Sequence, residues 1–510
     1  MLKKLVSVGG FTLLSRITGF ARDALLAWTL GAGILSDAFF VAFLFPNYFR
    51  AIFGEGTINP AFLPRYAALH AKGERDHAAR FANAVFSWQL LAQVVLLVLA
   101  TLFMPAIVRV LAPGWSGEQF DLTVSLARIT FPYLIMTLVA VQLSAMLNAI
   151  DRFWAGAFWS NLQNLAMIAT LLVWQRFPNA GYAAAWGVFA GGVAQLIFIV
   201  WAGARDGLWL KPSWPRWNAE MKEFFVAFGA VTFGATSIVI APFIDTILAS
   251  LLPTGSRTAL YYADRINQLP LGVLGIALGT VLLPEMSARL AKGDIAGSDF
   301  AQNRSAAMSL VLTLPFMAAF LVIPGIIIRA VFLHGAFDSV AAQLATFALM
   351  AYGAGLPAMA LLRIVQATFY ARHDTITPAR ATVIALVSNI ALKLLFVWGF
   401  DLGVAGLALG TSLGAWINIA LLTWTGRSRA LLAIERQFMQ ALPAALLAAL
   451  ACGAGARIGA GLGQMAMPGH WRDVAALAAA MACAAVGYGA VLLLFRGSLP
   501  LNSRTEGRAA

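Results

Sequence analysis

The sequence predicts an all-α, polytopic membrane protein of about fourteen transmembrane helices, and three observations carry that expectation. Hydrophobic residues make up 61% of the 510 and charged residues only 11%, where a soluble domain is about one-quarter charged. Mean hydropathy is +0.80. Apolar runs of spanning length centre near residues 18, 44, 95, 136, 166, 192, 236, 274, 315, 355, 388, 413, 447 and 484, each close to the ~20 residues that cross the hydrocarbon. Their continuity excludes a transmembrane barrel, whose strands are short and alternating. Lysine and arginine collect on alternate connectors: Arg65, Lys72 and Arg75, then Arg152, then Arg205 to Lys222, then Arg289 and Lys292, then Arg372 and Arg380, then Arg427 to Arg436. That pattern places both termini in the cytoplasm. The net charge of +13 is accounted for by this asymmetry, so no nucleic-acid partner is expected.

Taken in order, the chain opens with Lys3 and Lys4 before an apolar run. Arg16, Arg22 and Asp23 interrupt that run and no clean small-residue cleavage site follows, so it reads as a retained first helix. The first two helices, within Leu5 to Phe53 with a turn near Gly31–Leu35, also carry Asp37 and Arg50. A charge at bilayer-centre depth costs about 2.5–3.5 kcal/mol, so these groups must face a wet cavity or one another. Pro46 frees a backbone carbonyl in the second helix, tolerable only against protein or water. A basic connector, Thr57 to His77, follows. Helices three to six include an outer loop, Ala112 to Asp121, without lysine or arginine, and an aromatic interface cluster at Phe153, Trp154, Phe158 and Trp159. The Trp209–Trp217 stretch, with Pro212 and Pro215, reads as a linker.

That linker divides the chain into an N-terminal six-helix lobe (1–206), a cytoplasmic linker (207–218), a C-terminal six-helix lobe (219–426), two appended helices (427–496) and a polar tail (497–510). An ungapped offset of 222 supports two pseudo-symmetric lobes: Phe11 falls on Phe233, Ser15 on Ser237, Asp23 on Asp245, Gly33 on Gly255, and Phe39-Phe40 on Tyr261-Tyr262. Arg16 and Arg22 fall opposite Ile238 and Ile244, so positive charge is expected mainly on the first lobe. The second lobe adds Asp245 in helix seven, Asp264 and Arg265 in helix eight, Arg363 in helix ten, and Asn389 with Lys393 in helix eleven. Gly406, Gly410 and Gly414 repeat on helix twelve as packing residues.

The sequence carries no HExxH, P-loop lysine or GxSxG elbow. Cys452 and Cys483 form neither a disulfide framework nor a metal site, and no cofactor is expected. What remains is Arg16, Arg22, Arg50 and Arg265, joined by Arg363. Guanidinium is permanently charged and binds phosphate in bidentate fashion, so arginines converging on a membrane cavity point to a polyanionic substrate such as a pyrophosphate head group. Pairing with Asp23, Asp37, Glu55 or Asp264 is the competing role for each. Ser15 and Arg22 share one face of the first helix, and Arg16 and Asp23 another. Asn389 and Lys393 share a face of helix eleven, with Asp245 as the partner for Lys393; a buried ion pair is favoured over an ion-coupling site. An exporter of drugs or another lipid-linked glycan, and a membrane transferase acting on polyprenyl phosphate, are the alternatives. Cationic drugs would call for carboxylates rather than arginines.

The run SRITGFARDALLAWTLGAG, followed by SDAFFVAFLFPNYFRAIFGEG, resembles the N-terminal signature of the MurJ (MviN) lipid II flippase family. YYADRINQLPLGVLGIALGTVLLPEMS resembles its helix-eight motif and FYARHDTITP the motif after helix ten. The family belongs to the multidrug/oligosaccharidyl-lipid/polysaccharide exporter superfamily. The resemblance implies two six-helix lobes around a central cavity, with a hydrophobic groove formed by the last two helices. It implies lipid II, the undecaprenyl-pyrophosphate-linked disaccharide peptide of peptidoglycan biosynthesis, as substrate, moved to the outer leaflet of the bacterial inner membrane by alternating access. Membrane lipids and the cell-wall synthesis machinery are the further partners it suggests. Ser15, Arg16, Arg22, Asp37, Arg50 and Arg265 match functional cavity positions of the family, with Glu55 and Asp264 as adjacent candidates. Some members bind sodium through an Asp on helix seven and an Asn/Asp pair on helix eleven. Here Asp245 and Asn389 match, but Lys393 replaces the second Asp, so a sodium site is not expected.

Overall fold

The computed structural model describes the backbone of residues 2–279 and 282–496; within that span the side chains of 2–8, 54–55, 233–239, 273–279, 437 and 470 are not described. The tail expected at 497–510 lies outside the described residues. Among the described residues the regular elements are all helical. The chain separates into two compact units, Met1–Thr258 with Gly335–Phe337, and Ala259–His334 with Asp338–Ala510.

The first unit holds α1 (Leu2–Leu30), α2 (Ile34–Phe49), α3 (Asn59–Ala71), α4 (Arg75–Leu111), α5 (Gly117–Thr130), α6 (Tyr133–Ala149), α7 (Phe153–Leu172), α8 (Ala180–Arg205), α9 (Ala219–Ser250) and the first turn of α10 (Ser256–Gly279). The second unit takes the rest of α10, then α11 (Leu282–Ala291), α12 (Ile295–Val322), α13 (Pro324–Phe332), α14 (Ser339–Tyr370), α15 (Ile376–Leu394), α16 (Gly403–Ser428), α17 (Arg436–Ala466) and α18 (Arg472–Leu494). Among the described residues, nine helical segments are long and apolar enough to cross a membrane: α4, α5 with α6, α8, α12, α14, α15 with its extension, α16, α17 and α18. This count does not reach the fourteen expected from hydropathy. One reason is local, since α2 has only 16 residues.

The basic connector at Thr57 to His77 is largely helical. From α2 the chain continues through a π-helical stretch, Arg50–Ile58, directly into α3. Thr57 Oγ1 donates to the Ile52 carbonyl at 2.6 Å, five residues back, which suits the wider π turn. Pro60 sits at this junction, in the first turn of α3, where it removes one backbone donor from the continuous helix. Phe62 then stacks on Phe81 of α4 at 5.5 Å, and Arg65 pairs with Glu220 and Glu223 in the first turns of α9. Burial of Phe62 and Phe81, both 0% exposed, favours this packed helix over a solvated loop. The 207–218 linker does lack regular structure, and it lies along α4: Lys211 N donates to Asn83 Oδ1 at 2.8 Å and Ser213 N to Ser87 Oγ at 2.9 Å.

Contacts between repeat-related positions bear on the 222-residue offset. Ser36 and Thr258, separated by that offset, touch through their hydroxyls at 2.9 Å. Trp28 and Ser250 are mates, as are Gly114 and Ala336. The Ala336 N–H donates to the Trp28 carbonyl at 2.9 Å, and the Gly114 N–H to Ser250 Oγ at 3.5 Å. Within the first unit, the turn that carries Gly114 therefore packs on the end of α9 and the turn that carries Ala336 on the end of α1. Gly31, at φ +65°, is required there: a Cβ would lie 2.3 Å from the Ala336 carbonyl oxygen.

Candidate functional site

The polar seam of the first unit lies between α1 and α7. Arg22 is 8% exposed and Asp23 4%. Arg22 donates through Nη2 and Nε to Asp23 Oδ1 at 2.7 and 3.0 Å, and through Nη1 to Asn164 Oδ1 at 2.9 Å. Asn164 returns its amide N–H groups to the Ser15 carbonyl at 3.2 Å and Thr18 Oγ1 at 3.1 Å. Thr18 also reaches Asn161 Oδ1 at 3.4 Å, and the Ser15 and Ser160 hydroxyls stand 3.5 Å apart. Sequence reading missed Asn161 and Asn164. Their signal was two amides one turn apart on one face of an apolar helix, where an unmatched amide is expensive. A Cβ at Gly19 would make only an ordinary contact with the Asn164 amide, at 3.5 Å, so the approach does not depend on glycine there.

The other expected site residues are placed differently. Arg16 is exposed and has no ion pair or hydrogen bond among the described residues. Arg50 opens the π-helical stretch and donates to Asn47 Oδ1 at 3.2 Å. Asp37 is 1% exposed and is occupied structurally. Its carboxylate accepts from the Gly255 N–H at 2.7 Å, the Thr258 N–H at 2.9 Å and Thr258 Oγ1 at 2.5 Å, which caps the start of α10. A carboxylate at a helix N-terminus satisfies donors that have no partner within the helix. The Glu55 side chain lies outside the described residues.

In the second unit, Arg265 is half-buried; its Nε donates to the Tyr261 hydroxyl at 3.0 Å and its guanidinium lies 5.0 Å from that ring's centre. Asp264, one residue earlier, accepts from Gln268. Arg363 on α14 is exposed. Asn389 donates to the Gly410 carbonyl at 3.1 Å, and Lys393 is 0% exposed, its stem packed where a Gly410 Cβ would stand. Gly410 and Gly414 on α16 thus make room for Lys393 and Asn389, as their four-residue spacing suggested. Asp245 belongs to the first unit and is half-buried. Among the described residues no group of His, Cys, Asp or Glu could hold a metal ion.

The FYARHDTITP run forms a polar clip between α14 and α15. Asp374 accepts from the Thr377 N–H at 2.9 Å and Thr377 Oγ1 at 2.7 Å, and Arg429, just beyond α16, reaches Asp374 at 3.2 Å. The Thr377 hydrogen bonds, then Arg429, hold the Asp374 carboxyl below its ordinary pKa. Arg372 meets Asp299 of α12 at 3.7 Å.

With this geometry in hand, the comparisons with known proteins are decisive. A family profile described as "Lipid II flippase MurJ" matches residues 26–463. The chain belongs to the MurJ lipid II flippase family. Among its relatives, a Rhizobium tropici protein named "Probable lipid II flippase MurJ" is 38% identical over 82% of this chain and 79% of its own length. A Burkholderia cenocepacia protein named "Lipid II flippase MurJ" is 31% identical over 88% and 89%. A solved structure titled "Lipid II flippase MurJ, inward closed conformation" shares the fold at TM-score 0.79 and 22% identity, covering 96% of this chain and 99% of that one. An inward-facing multidrug resistance MATE family transporter of the MOP superfamily shares it at TM-score 0.68 and 16% identity, covering 84% and 98%. MurJ proteins are transporters, so membership sets this chain apart from membrane transferases.

Proposed function

We propose that this chain carries lipid II from the cytoplasmic to the outer leaflet of the bacterial inner membrane by alternating access, with both termini in the cytoplasm. The observation that carries the reading is the match to lipid II flippases along residues 26–463. The arginines supply the chemistry. Arg16, exposed and without a partner among the described residues, makes the first ionic contact with the pyrophosphate. Arg265 rests on Tyr261 and exchanges the phenol for a phosphate oxygen, a stronger, charge-assisted bond. Arg22, held by Asp23 and Asn164, fixes the orientation of α1 and contributes field more than contact. Arg50, Arg363 and Ser15 extend the polar path, with Glu55 and Asp264 beside it. The lipid tail stays in the bilayer while the two lobes rock, and no covalent step is required.

Sodium has no role in this reading. The members that bind sodium use a second carboxylate where this chain has Lys393, which is fully buried, and in this reading its ammonium replaces the cation. Sodium-dependent transport that disappears in Asp245→Ala would contradict this.

The test is a leaflet-accessibility assay with lipid II in proteoliposomes. Arg16→Ala and Arg265→Ala are expected to slow flipping by at least about tenfold, the loss of one charge-assisted contact of roughly 1.5–3 kcal/mol. Flipping equal to wild type in both variants would defeat the arginine assignment.

A further inference from the structure

Away from the polar seam, the first unit holds a partly open cavity of about 170 Å³ between α4, α6, α9 and the π-helical stretch. Its wall is almost wholly apolar, with Trp88, Leu96, Leu138, Phe224, Phe225 and Phe228 prominent. Two carboxamides break that wall. Gln89 and Gln93 stand one turn apart on one face of α4, and both line the cavity. Gln93 is 4% exposed. In each, the amide nitrogen and the amide oxygen are buried and have no hydrogen-bond partner among the described residues.

An apolar cavity of this size retains apolar guests rather than water, whereas a buried carboxamide must find both an acceptor and a donor. The two demands are met together by a molecule with a hydrocarbon chain and a neutral polar end. Leu91, Val94, Val95 and Val98, on the turns of α4 beside the cavity, are exposed, so the helix that carries both glutamines borders the bilayer. The polar end has a defined direction as well. Trp88 lines the cavity and donates Nε1 to the Arg216 carbonyl of the linker at 3.3 Å, so this end lies beside the basic segment.

We propose that this cavity is a binding site for a single-chain amphiphile with a neutral hydroxyl or amide head, taken up from the membrane. The head bonds to Gln89 and Gln93, and the chain lies among Leu138 and the α9 phenylalanines. No arginine lines this cavity, although Arg50 opens the π-helical stretch that forms one wall, and the proposal does not depend on what the arginines bind.

The probe is a long-chain alcohol carrying a diazirine near its tail, photo-crosslinked to the full-length protein in detergent and mapped by peptide mass spectrometry. Label is expected on α4 and α9. Dodecanol should displace it at about tenfold lower concentration than dodecane, and Gln93→Leu should abolish that preference. Leu138→Trp, which fills the cavity, should abolish labelling altogether. Gln89→Leu serves as the second test of the polar contact if Gln93→Leu lowers the unfolding midpoint. Labelling unchanged by Leu138→Trp, or equal displacement by alcohol and alkane in the wild type, would overturn the proposal; the latter would leave the glutamines to water.

Discussion

Asp37 sits inside a motif associated with transport, yet among the described residues its carboxylate is hydrogen-bonded to the α10 cap at Gly255 and Thr258. Asp37→Ala should therefore act first on stability. Three donors would be left in a site 1% exposed, a loss of about 2–4 kcal/mol, read as a lower unfolding midpoint in detergent. Asp37→Asn, which keeps one acceptor, should fall between. An unchanged midpoint with abolished flipping would assign Asp37 to the substrate instead. Asp374 gives a residue-scale pH prediction. Its folded pKa is depressed, so its stabilisation is present above the ordinary carboxylate pKa of about 4 and is lost as pH falls through the lower folded value. The midpoint difference between wild type and Asp374→Asn should be present at about pH 7 and shrink as the pH falls below the ordinary carboxylate value of about 4.

At the scale of elements, α17 and α18 pack through glycine. A Cβ at Gly459 would stand 2.3 Å from the Ala479 carbonyl oxygen and one at Gly463 2.4 Å from that of Ala475, whereas Gly461 faces open space. Gly459→Ala should destabilise by roughly 1–3 kcal/mol through overpacking. Gly461→Ala should be neutral, or stabilising by up to about 1 kcal/mol, because alanine favours helix. Equal midpoints for the two variants would show that the pair is not held by close backbone approach. The π-helical stretch after α2 belongs to this scale too. Pro46 flagged an irregular helix, but the packing of Phe62 on Phe81 explains why the chain stays helical through Ala71.

For the whole molecule, the proposed cycle moves a polyanionic head group across the membrane. Each elementary charge that crosses responds by about 2.3 kcal/mol per 100 mV. An imposed potassium diffusion potential should therefore change the flipping rate in proteoliposomes, in opposite directions for its two signs, and a rate indifferent to the potential would count against net charge movement. Within the first unit, Ser36 meets Thr258, Ala336 meets Trp28 and Gly114 meets Ser250, which ties the ends of α1 and α9 to residues distant in sequence.

The sequence by itself determined the class of this protein, since apolar length and basic asymmetry are one-dimensional properties, and its family, since motifs such as SRITGFARD are contiguous. It also located the costly charges, because an arginine in an apolar run is anomalous wherever it points. Only the tertiary structure decided what each charge does. Arg22 is tied to Asn164, 142 residues away, Asp37 caps a helix 218 to 221 residues on, and Arg16 is left exposed. The reason is physical: a guanidinium or carboxylate is satisfied by whichever groups the packing brings within about 3 Å, and spacing along one helix does not say which element will arrive there.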